Sequence, residues 1–153
     1  MKRIIAVFAM VLGIAFATSS AMAQEGPNVG EGPGLFINLT TDDTWAAAKA
    51  ISFGHQKALE NGYRVAIWMN VRAVYLADER RPSHIHGLMA ESGTSIQDML
   101  AAFIEDGGTV LMCQACSAAA GLTLDDYIDG VEMGSWPTIE AWLFDPEVQT
   151  LSW

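Results

Sequence analysis

Cysteine is scarce in this chain, with only two among 153 residues, and basic side chains are few: 8 lysines and arginines stand against 18 aspartates and glutamates. Two cysteines cannot form the disulfide framework of a small secreted scaffold, so whatever they do is local. A formal charge of −10 leaves no basic stripe to displace counterions from a phosphate backbone, and nucleic acid is not an expected partner. No Ser-His-Asp ordering, phosphate-cradling glycine loop or paired-carboxylate pattern stands out. Nor is there an apolar run of the roughly 18 residues that a spanning helix needs. The longest, at 4–17, has 14 residues.

That run has a different use. Lys2 and Arg3 precede it, and Ala21-Met22-Ala23 follows it as a small-residue cleavage pattern, which together read as a secretory signal peptide over 1–23. No cysteine follows the small residues, so a lipid anchor is not expected. Removing 23 residues leaves 130, the size of one domain, and losing Lys2 and Arg3 takes the formal charge from −10 to −12. The expected product is an acidic, exported protein of the periplasm, not inserted in the membrane after cleavage, in a compartment where disulfides persist.

Residues 24–34 (QEGPNVGEGPG) carry glycine, proline and charge without an apolar period and read as a flexible lead-in. From 35 to 153 short apolar runs alternate with helical patterns as a single domain. Strands are expected at 35–39, 64–69, 109–112 and 148–153, with a short extended piece at 131–133 and either a short strand or a turn of helix at 71–76. Helices are expected at 45–60, with the cluster 40–44 suited to capping it, at 95–106, closed by Gly107-Gly108, at 115–120, and from 135–137 to about 144. Thr123 to Asp126 has capping-box spacing. Residues 78–87 (DERRPSHIHG) read as an exposed loop. This alternation predicts a three-layer α/β/α sandwich on a mostly parallel sheet with right-handed crossovers, whose functional crevice lies beyond the carboxyl ends of the strands.

Cys113 stands at such an end. In VLMCQACSAAAGLT, residues 110–123, it falls between a strand and a helix of small residues, where amide N–H groups lower a thiol's pKa and favour the thiolate. Cys116, one turn later, lies on the same side and within reach of a disulfide or of attack on a modified Cys113. Three readings stay open on these residues. A disulfide closing so short a loop constrains the unfolded chain little, so stabilisation alone is a poor explanation. A thioredoxin-like couple has a CxxC at a helix start, but Gln114-Ala115 is not its Gly-Pro. The third reading makes Cys113 a carrier of sulfane sulfur, with Cys116 as resolving or protective thiol.

Several stretches carry a likeness: Phe36-Ile37-Asn38-Leu39-Thr40-Thr41; Asn61-Gly62-Tyr63-Arg64-Val65-Ala66-Ile67-Trp68-Met69-Asn70; Val110-Leu111-Met112-Cys113-Gln114-Ala115-Cys116 with Ala119-Ala120-Gly121-Leu122; Asp129-Gly130-Val131-Glu132-Met133-Gly134; and the closing Val148-Gln149-Thr150-Leu151-Ser152-Trp153. In these the chain from 35 to 153 resembles the DsrE/DsrF-like family of sulfur-relay proteins, to which the TusD-type carriers belong. The resemblance implies a parallel five-stranded sheet between helices, a homo-oligomer, and a sulfur-carrying cysteine where Cys113 stands. Its partners would be sulfur donor and acceptor proteins or small thiols, with no cofactor and no resident metal.

His84 and His86 alternate, a spacing that can point two imidazoles one way toward Cu or Zn, but two ligands do not make a site. A competing expectation is therefore a non-catalytic protein holding a soft metal through Cys113, Cys116, His84 and His86, and another is an oligomeric interaction module whose cysteines merely pair. His55 reads as a partly buried helix residue. Asp42 and Asp43 suit helix capping, and Asp125, Asp126 and Asp129 suit a helix start and a solvated surface. Trp136, Trp142, Trp153 and Phe144 are expected to cluster in a core or at a subunit interface.

Overall fold

The computed structural model describes residues 27–85 and 87–153. The expected signal segment, 1–23, and His86 lie outside the described residues.

Five strands form one sheet: β1 (Gly34–Leu39), β2 (Arg64–Met69), β3 (Thr109–Cys113), β4 (Glu132–Gly134) and β5 (Val148–Ser152). Their order is β4-β3-β2-β1-β5 and every neighbouring pair is parallel. The expected mostly parallel sheet is thus wholly so. Parallel strands must be joined by crossovers, and their interior members are covered on both faces, which explains the near-continuous apolar runs of β1, β2 and β3.

Among the described residues, four α-helices supply the cover: α1 (Thr44–Ser52), α2 (Ile96–Glu105), α3 (Gln114–Ala120) and α4 (Trp136–Leu143). Leu35, Ile37, Leu39, Val65, Ile67, Met69, Val110 and Met112 point to one face and pack with Ala47, Ile51, Leu100 and Phe103 from α1 and α2. Phe36, Ala66 and Leu111 point to the other and meet Ile139 and Trp142 of α4. Crossover handedness accounts for the unequal layers. The chain steps in one direction from β1 to β4, so α1, α2 and α3 share a face; the return to β5 reverses the step and puts α4 opposite.

Local sequence explains most element ends. Asp43 caps α1 by accepting the Ala46 N–H at 2.9 Å. Ser95 and Asp98 form a reciprocal capping box on α2. The helix expected over 45–60 does not run uniformly: α1 ends at Ser52 and passes into a π-helical turn, Phe53–Ala58, and a 3₁₀ turn, Leu59–Asn61. Gly54 lies in the widened turn, so close to the sheet that a Cβ there would stand 2.8 Å from Ile37 Cδ1. The segment left between strand and helix, Val71–Ala77, is a 3₁₀ helix with Ala73, Val74, Leu76 and Ala77 buried.

The loop expected to be exposed from residue 78 begins with a buried carboxylate. Asp78 is 1% exposed and accepts from Arg80 Nε at 3.0 Å and Arg81 Nε at 3.1 Å. Polarity suggested solvent, but guanidinium partners from the next three residues let the charge fold inward. Burial works to raise its pKa, and the Arg80 and Arg81 bonds outweigh it, holding the carboxyl below the usual range. The C-terminal aromatics also divide: Trp142 stacks on Phe36, Trp153 tilts against Phe53 on the other side of the sheet, and Trp136 and Phe144 stay exposed. Neighbours in sequence end on opposite faces because β5 and α4 belong to different layers.

Candidate functional site

Two strand ends and one helix start converge at the carboxyl edge of the sheet. β3 delivers Cys113 in extended geometry, φ −62° and ψ 112°, as the residue that caps α3. Its Sγ accepts the backbone N–H of Cys116 at 3.3 Å. One turn on, Cys116 lies with its Cα 5.2 Å from that of Cys113, and the two sulfurs are joined as a disulfide. The spacing that allows a bond or an exchange between them is therefore realised.

The two sulfurs have unequal surroundings. Cys113 is 7% exposed and belongs to the main core, whereas Cys116 is half-buried and packs at that core's margin. The sequence reading places an exposed, ionised thiol at Cys113; its side chain is instead covered, because as the cap of α3 it turns back onto that helix's first turn and packs with the main core. Beneath the pair, Ser117 Oγ donates to the Cys113 carbonyl at 2.9 Å and Tyr127 Oη donates to Ser117 Oγ at 2.7 Å. This buried chain fixes the first turn of α3. Burial raises the Tyr127 pKa, so the phenol stays a donor.

Three residues that the sequence reading gave no role complete the site. Asn70 follows β2, and its Oδ1 accepts the Val71 N–H at 2.8 Å and lies 3.1 Å from Cys116 Sγ. The same Val71 N–H reaches Cys116 Sγ at 3.2 Å. Val71 adopts φ 51°, the left-handed region, which costs a β-branched residue about 1–2 kcal/mol. Asn70 Nδ2 in turn donates to Asn38 Oδ1 of β1 at 3.4 Å. A sequence signal existed: each asparagine sits at or just past the carboxyl end of a parallel strand, where crevices form.

The remaining candidates are placed elsewhere or tied down. Asp42 takes two bonds from Arg72, at 3.0 and 2.6 Å, which hold its pKa below the ordinary range. His55 meets Asp106 at 2.7 Å and packs edge-on to Phe103. His84 is exposed and lines a cleft of about 90 Å³ with Asp42, Tyr75, Arg81 and Gln97, which neither cysteine lines. Asp126 receives Arg80 Nη1 at 2.8 Å and caps the turn at Thr123. Among the described residues, no group of three or more His, Cys, Asp or Glu side chains is placed to hold a metal ion. Among them too, no helix is long and apolar enough to cross a membrane.

Known proteins supply a context for this edge. A family model described as DsrE/DsrF-like family matches residues 36–147, a span that takes in all the site residues named above. Among solved structures, the YchN protein from E. coli superposes with a TM-score of 0.59 at 18% identity, covering 80% of this chain and 100% of its own. A protein of unknown function from Methanobacterium thermoautotrophicum, MTH1491, superposes with a TM-score of 0.57 at 12% identity, covering 78% of this chain and 98% of its own. At such identities the likeness is one of fold. A comparison with curated proteins finds no match.

Proposed function

Because the chain belongs to the DsrE/DsrF-like family, we propose that it is an exported sulfur carrier, of sulfurtransferase type, that holds sulfane sulfur as a persulfide on the Cys113–Cys116 pair. The observation that carries this reading is the pair itself: two sulfurs one helical turn apart at the carboxyl edge of an all-parallel sheet, each within reach of a backbone N–H. Amide donors stabilise the thiolate, which is the species that accepts or surrenders a sulfane sulfur. The second cysteine gives the carrier a resolving thiol: attack on the persulfide's inner sulfur closes the disulfide and expels the carried atom.

The reading places the protein in an oxidising compartment such as the periplasm, with thiol-bearing donors and acceptors as partners and with a second copy of the chain beside it. Trp136 and Phe144, exposed at 61% and 73%, suit such a contact, and analytical ultracentrifugation would weigh the assembly directly. The reading in which the cysteines only staple the fold rests on the same disulfide, yet the loop between them is too short to constrain the unfolded chain much.

One experiment separates the two. The protein is reduced, freed of reductant and mixed with an organic persulfide, and its intact mass is measured. The carrier gains one sulfur atom, and the Cys113→Ser/Cys116→Ser double variant gains none. A wild-type protein that takes up no sulfur, or a double variant that takes up as much, removes the proposal.

A further inference from the structure

Resting on that carrier reading, we propose that the disulfide form is loaded by inorganic hydrosulfide, which attacks Cys116 Sγ, so that the persulfide forms on Cys116 and Cys113 departs as the thiolate, with Asn70 as the residue that positions the attacked sulfur.

Access decides which sulfur is struck. Thiol–disulfide exchange needs the nucleophile in line with the S–S bond, approaching one sulfur from the side away from its partner. Cys113 is 7% exposed and packed in the main core, so it offers a nucleophile less access than Cys116 does. Cys116 is half-buried at the core's margin. Attack there drives the leaving sulfur inward, onto the Cys116 N–H already 3.3 Å from Cys113 Sγ. The attacked sulfur does not swing freely, since the Val71 N–H lies 3.2 Å away and Asn70 Oδ1 lies 3.1 Å away.

Oxidation state identifies the nucleophile. A persulfide donor passes its sulfane sulfur to a thiolate, and a disulfide offers none. Hydrosulfide needs no prior reduction: its electron pair forms a bond to Cys116 Sγ while the Cys113–Cys116 bond breaks with its pair going to Cys113 Sγ. The hydrosulfide sulfur is oxidised by two electrons, the disulfide is reduced by the same two, and one negative charge stands on each side. The hydrosulfide proton stays on the outer sulfur or leaves to water. In the hand-off an acceptor thiolate attacks that outer sulfur, and Cys116 leaves as a thiolate facing the Val71 N–H. A disulfide-bearing partner then takes two electrons from the dithiol to restore the starting pair.

The test uses protein purified without reductant. It is mixed with sodium sulfide, capped at short times with an iodoacetamide that blocks thiols and persulfides alike, and fragmented between residues 113 and 116 in a mass spectrometer. The expected result is one extra sulfur on Cys116 and a plainly capped Cys113. Extra sulfur on Cys113 at the earliest times overturns the choice of sulfur. No extra sulfur from sulfide, in protein whose reduced form gains sulfur from an organic persulfide, overturns loading of the disulfide and leaves the carrier standing; gain from neither source ends both. In Asn70→Ala the early ratio of Cys116 to Cys113 persulfide is expected to fall about fivefold, the worth of one neutral hydrogen bond. An unchanged ratio in a variant of unchanged melting temperature removes Asn70 from the proposal.

Discussion

At Val71 and at Asp78 single side chains are held in states that their own chemistry opposes. The left-handed backbone of Val71, φ 51°, is maintained by the Asn70 side chain and the Cys116 sulfur that its N–H meets. Glycine has no Cβ to clash there, and Val71 is an exposed residue. Val71→Gly is therefore expected to stabilise the fold by about 0.5–1 kcal/mol, the relieved strain exceeding the entropy that glycine adds to the unfolded chain. Urea midpoints would show it, and a fall would mean that the valine side chain contributes more packing than strain. Asp78 is the acid-sensitive counterpart. Its native pKa is depressed, so its stabilisation is present above the unfolded value of about 3.9 and is lost as pH falls through the lower native one. Asp78→Asn is expected to cost about 1–3 kcal/mol at pH 7 and distinctly less at pH 3, read from urea unfolding at both. The sequence showed Asp78, Arg80 and Arg81 as neighbours but not which of them would turn inward, since a charge pattern of this kind suits a solvated loop equally well.

Secondary-structure elements were legible where their ends carry their own chemistry. Ser95 and Asp98 mark the start of α2 through side-chain bonds only three residues apart, and such bonds can be read from spacing. The π-helical turn after α1 could not, because the residues from Phe53 to Ala58 contain no local breaker except Gly54, whose place is set by Ile37 and Val65 of the sheet. Gly108, just past α2, behaves in the same way. The Phe103 ring, fully buried, sits directly over it, so closely that an added Cβ would overlap ring carbons. Gly108→Ala is accordingly expected to destabilise by about 1–3 kcal/mol, as overpacked cores do, with the midpoint of chemical unfolding as the measure. Gly107 beside it, with nothing within 4 Å of its missing Cβ, supplies the contrast of a site governed by backbone angle rather than by contact.

Across the whole molecule, Arg64 joins pieces that the chain order keeps far apart. Its guanidinium donates to the carbonyls of Gly32 at 2.6 Å and Val29 at 3.1 Å, to Asp145 at 2.7 Å, and lies 5.2 Å from the centre of the Trp142 ring. The lead-in, β2, α4 and the approach to β5 thus share one planar fork. Lysine keeps the charge but cannot reproduce the fork, so Arg64→Lys is expected to cost about 2–4 kcal/mol in equilibrium unfolding. A cost confined to a few tenths would show the lead-in to be held by other contacts.

The sequence by itself determined the α/β class, most of the strands and helices, the family and the two cysteines, because apolar period, capping residues and CxxC spacing act over a few residues. Only the tertiary structure decided that Asn70, backed by Asn38, and Val71 meet Cys116, that Cys113 is covered while Cys116 is half-buried, and that, among the described residues, α4 lies on the face opposite α1, α2 and α3. Those outcomes follow from the strand order β4-β3-β2-β1-β5, which sets residues 38, 70 and 116 side by side. Contacts across that many intervening residues leave no periodic trace in the chain that makes them.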